Sequence, residues 1–208
     1  MSRWEIVVRR WSPAVSRSRR PGTARTTTKI GAVSDTPVIR DASEADAEAC
    51  AAIYAPYVRD TAISFESEPP SAEAVAGRIA AAQRAHAWLV LEDGGRVVGY
   101  AYGGPYKERD AYRWSCEVSV YLEPGRRRTG SGRALYDALL DRLAERGFRT
   151  VVAGIALPNE ASVRLHRAMG FEPVGTWRRI GWKNGRWHDV TWVQRSIGEY
   201  DEQPAEPR

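Results

Sequence analysis

Apolar positions recur along the chain with two periods, and the switches between them outline its elements. Pro37-Val38-Ile39-Arg40 reads as a short strand. Ser43, with Asp46 three residues on, has the form of a helix N-cap, and Ala47, Cys50, Ala51, Tyr54 and Val58 then recur at helical spacing. Thr61 to Glu66 is a loop with strand propensity; Pro69-Pro70-Ser71 stops it and caps a second helix over about 72–85. Trp88–Leu91 and Val97–Tyr102 predict two strands around the turn Glu92-Asp93-Gly94-Gly95, the second broken by Gly103-Gly104-Pro105. Residues 106–112 cross to a strand in which Val118, Val120 and Leu122 alternate with polar neighbours and which ends at Glu123-Pro124. A helix follows with Ala134, Leu135, Leu139 and Leu143 on one face, C-capped by Gly147. Thr150–Ile155 is a buried strand, and Pro158-Asn159-Glu160 opens a short helix bearing Val163, Leu165, His166 and Met169, stopped by Gly170. Two closing strands, about 171–182 and 186–197, meet at Asn184-Gly185, a strong hairpin signal.

The order β-α-α-β-β-β-α-β-α-β-β predicts one mixed α/β (α+β) domain over residues 37–198, with a largely antiparallel central sheet flanked by helices. There is no internal repeat. Residues 199–208 hold two prolines and four acids and read as a frayed tail.

Charge changes the picture at the other end. Residues 1–36 carry eight basic and two acidic side chains, so this leader's +6 exceeds the +5 of the whole chain and leaves 37–208 at −1. The basicity is therefore no argument for a nucleic-acid partner. The leader mixes Arg, Ser, Thr, Pro and Gly without a sustained period, and Arg9-Arg10 has no apolar stretch behind it, so a twin-arginine export signal is rejected. Disorder, or an upstream translation start, accounts for it better than an organelle transit peptide. No run of eighteen apolar residues occurs, so no membrane-spanning helix is expected. Cys50 and Cys116 read as reduced, buried residues of a cytoplasmic protein, and three histidines (His86, His166, His188) lack the spacing of a metal centre, so no metal is expected.

The chemistry concentrates between Glu117 and Leu135. A strand, a Gly-rich turn and a helix point the N–H groups of a helix N-terminus at a phosphate, Gly130 and Gly132 let the backbone approach closely, and Arg126, Arg127 and Arg128 add cationic donors. The turn is neither the dinucleotide fingerprint, for want of a third glycine in place, nor a Walker A loop, for want of the lysine.

What does match is Arg127-Arg128-Thr129-Gly130-Ser131-Gly132, which resembles the acetyl-CoA signature Q/R-x-x-G-x-G/A of the GCN5-related N-acetyltransferases (GNAT). The element order is similar to the GNAT acyltransferase fold over about 38–197. Gly104-Pro105-Tyr106-Lys107-Glu108-Arg109-Asp110-Ala111-Tyr112, Leu157-Pro158-Asn159, Leu165 to Phe171 and Gly185 to Val190 resemble the phosphinothricin and methionine sulfone/sulfoximine N-acetyltransferases within it.

The resemblance implies acetyl-CoA as co-substrate and the α-amino group of a small amino-acid-like molecule as acceptor. Glu117 holds the place of the general base, acting directly or through a water, with a salt-bridged glutamate as the bland alternative; its apolar neighbours Cys116 and Val118 fit a raised pKa. The backbone N–H near Val120, where relatives carry a β-bulge, would polarise the thioester carbonyl, with Val118 beside it. His166 stands where many relatives have a tyrosine, as acid, second base or packed core residue. Arg127, Arg128, Gly130, Gly132 and Arg133 would hold the pyrophosphate and Asn159 and Ser162 the pantetheine arm, Asn159 also serving as an N-cap. Lys107, Arg109 and Tyr112 would meet the anionic groups of the acceptor, with Phe65, Tyr57, Trp187 and His188 lining the same pocket. A homodimer is implied, for which Trp177, Trp182, Trp187 and Trp192 supply apolar area. Other acceptors (a protein terminus, a lysine, another metabolite) and a non-catalytic acetyl-CoA-binding module remain as alternatives.

Overall fold

The computed structural model describes residues 36–126 and 129–208; the basic leader up to residue 35 and the pair Arg127-Arg128 lie outside the described residues. The elements are β1 (Val38–Asp41), α1 (Ala47–Asp60), α2 (Ala72–Ala85), β2 (Ala87–Asp93), β3 (Arg96–Pro105), β4 (Ser115–Leu122), α3 (Ser131–Glu145), β5 (Thr150–Ala156), α4 (Glu160–Ala168), β6 (Glu172–Lys183) and β7 (Arg186–Ser196). Among the described residues the strands form one seven-stranded sheet in the order β1-β2-β3-β4-β5-β7-β6. Only β4 and β5 run parallel; the other neighbours are antiparallel.

Helices cover both faces of this sheet, which explains why residues 87–91 of β2 are apolar and buried without alternation. Trp88 and Val90 of β2 join Tyr100 and the α1 and α2 residues Cys50, Val58 and Ile79 in one core. Ala87, Leu89 and Leu91 point the other way and pack with Leu135, Leu139 and Leu143 of α3. The caps form as the sequence suggests. The Asp46 carboxylate accepts from the Ser43 backbone N–H at 2.8 Å, and the Ser71 hydroxyl accepts from the Ala74 N–H at 3.1 Å.

Two expectations change. The second central strand does not break at Gly103-Gly104; β3 runs to Pro105, pairing Gly103 with Val118 and Gly104 with Glu117. A Cβ on Gly103 would sit 3.1 Å from a Leu143 methyl, so the small residue lets α3 lie close on the sheet. The segment 199–208, read as frayed, has no helix or strand but is tied down. The Trp114 indole N–H donates to the Ala205 carbonyl at 2.9 Å, the Arg208 N–H donates to the Arg146 carbonyl at 2.8 Å, and Arg113 pairs with Glu206 at 2.8 Å. No helix among the described residues is long and apolar enough to cross a membrane.

Candidate active site

The parallel pair is short. β4 and β5 are in register only at Ser115↔Thr150, Cys116↔Val151 and Glu117↔Val152. Beyond Glu117 the strands part, β5 following β7 to the pair Ala156↔Val190 and β4 following β3 to Leu122↔Gly99. The fork needs no bulge in β4: its register with β3 is continuous from Cys116 to Leu122, so the irregularity expected near Val120 is absent from that pairing. The result is a cavity of about 950 Å³ whose wall includes the β4 strip from Val118 to Leu122, with no strand partner on its β5 side. An unpaired strip of backbone N–H and C=O groups is a template for an extended, amide-bearing ligand.

At one end of this cavity stands the N-terminus of α3. Gly130, its N-cap, has φ +82°, and the first turn of the helix contains no acidic residue. The first-turn N–H groups and the helix dipole therefore favour an anion. Gly130, Gly132 and Arg133 line the cavity here. Arg126 lines it too, but its guanidinium is engaged by Asp93 at 2.6 Å and by Glu123 at 3.4 Å. It is thus an internal tie between loops and not a free phosphate ligand, against the expectation from the sequence. Across the cavity, Asn159 caps α4, its Oδ1 accepting from the Ser162 N–H at 3.2 Å, and both residues line the wall.

The floor holds a buried pair. His166 is 3% exposed and Tyr136, on α3, is 1% exposed, and both border the cavity. His166 Nδ1 lies 2.8 Å from the Ser162 carbonyl, which can only accept, so the ring proton sits on Nδ1. Nε2 then offers its lone pair, and the Tyr136 hydroxyl donates to it at 3.0 Å. Burial pushes His166 below its ordinary 6.5, with the Ser162 bond opposing, and the ring is neutral at pH 7. Burial raises the Tyr136 phenol far above its ordinary value, helped by the nearby Tyr102 and Glu117 charges. Nothing in the sequence marks Tyr136 as more than a core position of an amphipathic helix.

Glu117 is the last rung before the strands part. Strand alternation turns it away from Val118, and it is half-buried. It forms no ion pair with any described residue, so the salt-bridge alternative does not hold. Burial raises its carboxyl above the ordinary 4.5, and the charge of Lys107 offsets part of the rise.

The residues expected to bind the acceptor are less gathered than the cofactor set. Lys107 lies over the Tyr106 ring at 5.2 Å, and Tyr112 meets the same ring edge-on at 5.5 Å. With Arg109 they form an exposed loop. Phe65 sits elsewhere, against His188 at 6.1 Å between ring centres, and Trp187 borders a separate recess with Leu157 and Arg186. Tyr57 does border the main cavity, its hydroxyl donating to the Leu122 carbonyl at 2.6 Å. Among the described residues no group of three or more His, Cys, Asp or Glu side chains is placed to hold a metal.

Comparison with known proteins now identifies the scaffold. The family model of the acetyltransferase (GNAT) domain matches residues 39–192. Phosphinothricin N-acetyltransferase of Streptomyces viridochromogenes is 42% identical over 170 residues, 82% of this chain and 91% of its own. An L-methionine sulfoximine/L-methionine sulfone acetyltransferase of Salmonella typhimurium is 35% identical over 163 residues, covering 78% of this chain and 95% of its own. Among solved structures, a GNAT superfamily phosphinothricin acetyltransferase from Sinorhizobium meliloti in complex with acetyl-CoA superposes with a TM-score of 0.78 at 36% identity, over 82% of this chain and 94% of that one. The chain belongs to the GNAT acetyltransferases and is an acetyl-CoA-dependent N-acetyltransferase.

Proposed function

We propose that the protein acetylates the α-amino group of a small amino-acid-like acceptor, phosphinothricin and methionine sulfone or sulfoximine being the first candidates. One observation carries this reading: Glu117, half-buried and without an ion-pair partner among the described residues, is the last rung before β4 and β5 part. It lies next along β4 to the cavity-lining Val118 and is not itself part of the cavity wall. On this reading the acceptor sits beyond the Val118 end of the cavity. The names of the relatives agree with such an acceptor.

The residues divide the work as follows. Acetyl-CoA supplies an acetyl group activated as a thioester. The α3 N-terminus with Gly130, Gly132 and Arg133 holds its phosphates, and the open edge of β4, with Asn159 and Ser162 opposite, holds its amide-bearing arm. A backbone N–H near Val120 donates to the thioester carbonyl. Glu117 takes the proton from the acceptor ammonium, and a carboxyl lifted toward neutrality is a better base than an ordinary one. Neutral His166 accepts the phenolic hydrogen bond at Nε2 and so fixes the Tyr136 hydroxyl. That hydroxyl would have to turn from Nε2 to protonate the CoA thiolate released when the C–S bond breaks. Lys107 and Arg109 meet the acceptor's anionic groups, with Tyr112 beside them, while Phe65 and Trp187 stand apart from this loop. A second copy of the chain covers the exposed face of β6.

The test is thiol release from acetyl-CoA with each of the three amines, beside Glu117→Gln. Turnover in the native protein and a fall of about a hundredfold or more in kcat in the variant, with acetyl-CoA still bound, are expected. Native protein that binds acetyl-CoA yet acetylates none of the three overturns the acceptor assignment. An unimpaired Glu117→Gln variant overturns the base.

A further inference from the structure

The cavity has a wall that no part of the mechanism above explains. It is formed by the end of α1 and the segment after it, through Tyr57, Thr61 and Ile63. A helix end followed by an irregular loop leaves backbone carbonyls without partners. Here Thr61 returns its hydroxyl to the Tyr57 carbonyl at 2.6 Å. The side chains of Ser64 and Glu66 are held by Tyr54 at 2.6 Å and Arg78 at 2.8 Å, and three backbone carbonyls are held from far away in the chain. Lys183, at the tip of the β6–β7 hairpin, donates from Nζ to the carbonyls of Val58 at 2.7 Å, Ser64 at 2.6 Å and Glu66 at 2.8 Å. An ammonium has three N–H donors, and all three are spent on this one segment. The Val58 carbonyl belongs to the last turn of α1, where a cation also meets the negative end of the helix dipole.

The same hairpin grips the segment a second time. Gly181 is paired with His188 across β6 and β7, and the Phe65 ring lies where a side chain at 181 would be: an ideal Cβ there would fall 2.2 Å from Phe65 Cε2. Ile63, between the Lys183 ties in sequence, borders the cavity, while Lys183 and the carbonyl-bearing Val58, Ser64 and Glu66 do not. A wall held from behind by a charged, three-pronged contact is fixed in position without any group intruding on the ligand.

We propose that Lys183 is a positioning residue for the acceptor: its ammonium, seated on the Val58, Ser64 and Glu66 carbonyls, holds the 57–66 wall against which the amine is oriented toward Glu117. The inference rests on the acetyl-transfer reading, but the clamp itself can be measured without turnover.

The test uses the full chain with Lys183→Met, which keeps the length of the side chain and removes the charge. Hydrogen exchange in the presence of acetyl-CoA is expected to quicken at the amides of residues 58–66 and not at those of α3; unchanged exchange at 58–66 overturns the clamp. In thiol-release assays the acceptor KM is expected to rise about tenfold or more while the acetyl-CoA KM stays within about twofold. Chemical rescue separates positioning from general stability. Lys183→Cys alkylated with 2-bromoethylamine regains an ammonium of nearly native reach, and the two native thiols are protected because Cys50 and Cys116 are 0% exposed. Burial also pushes both thiols up to about 12. Restoration of the acceptor KM on alkylation supports the proposal. An acceptor KM that never departs from native, or one that moves only in step with acetyl-CoA affinity and melting temperature, overturns it. A native protein that turns over no amine sinks the acetyl-transfer reading instead, and the exchange difference at 58–66 then decides the clamp by itself.

Discussion

A carboxyl that accepts a proton from an ammonium works only while ionised, so with Glu117 as the proposed base its surroundings would set the acid limb of the rate profile. Its pKa is raised by burial above 4.5, and Lys107 holds it down in part. Activity as kcat/KM is therefore expected to fall as pH drops through a value above 4.5. Lys107→Met removes the stabilising charge from the ionised form and is expected to move that limb to higher pH. A limb that stays put, or moves to lower pH, excludes the electrostatic link between the two residues. The Tyr136–His166 pair makes a second prediction. Tyr136→Phe leaves the His166 Nε2 lone pair buried without its donor, an expected stability loss of about 1–3 kcal/mol. If the phenol also supplies a proton, kcat falls by about ten- to a hundredfold while acetyl-CoA affinity holds. Steady-state kinetics beside thermal melting separate the two: a melting shift with native kcat makes the pair purely structural. Glu117 was singled out in the sequence only through the family resemblance, since a polar residue in an alternating strand such as β4 is ordinary by itself. Tyr136 was not, because an aromatic residue at helical spacing beside Leu135 and Leu139 reads as packing, and only its contact with His166 says otherwise.

Elements were legible where local signals decide them. The Asn184-Gly185 turn, the caps at Ser43 and Ser71 and the 3.6-residue period of α3 involve neighbours in sequence, and they stand where the pattern puts them. The segment 199–208 shows the opposite case. Prolines and acids build no helix or strand, so composition predicts fraying. What holds the segment is a set of contacts to distant residues, such as Tyr200 with Thr150 (50 apart) and Ala205 with Trp114 (91 apart), to which composition is blind. Removing residues 199–208 is expected to destabilise the protein by about 1–3 kcal/mol, roughly one for each of the hydrogen bonds to Trp114 and Arg146, the exposed Arg113–Glu206 pair adding little. Differential scanning calorimetry checks this, and a truncated chain that melts with the native one shows that the contacts contribute nothing. The Gly-rich turn before α3 was also legible, but its arginines were not equivalent. Arg126 is drawn off by Asp93, the last residue of β2, which no pattern local to 126–132 reveals.

At the scale of the whole molecule the sheet ends in an unguarded strand. β6 is twelve residues long, and Val174, Trp177, Ile180 and Trp182 on it are 52–60% exposed. A long edge strand with large apolar side chains is a site for association. Of the four tryptophans read from the sequence as interface, Trp177, Trp182 and Trp187 are exposed, but Trp192 is turned inward, its ring 3.3 Å from where a Cβ on Gly154 would lie. The sequence could not separate them, since an interface tryptophan and a core tryptophan obey the same alternation. A second copy of this chain is the occupant we propose, because the same patch on two molecules buries itself by two-fold symmetry. Light scattering is expected to give twice the chain mass at micromolar concentration. Trp182→Glu places a charge beside Trp187, its ring neighbour at 5.3 Å, and is expected to yield monomer. Its own fold should survive, because a side chain 60% exposed contributes little to the core. Trp177 also touches Trp192 at 6.0 Å, and Trp192 touches Tyr106 at 6.1 Å, so covering this face would be felt at the loop that carries Lys107 and Arg109. The monomeric variant is accordingly expected to keep acetyl-CoA affinity and lose acceptor affinity. A native protein that scatters as a monomer removes the second copy from the scheme, and leaves the acceptor loop to be ordered by its own Tyr106 and Tyr112 contacts.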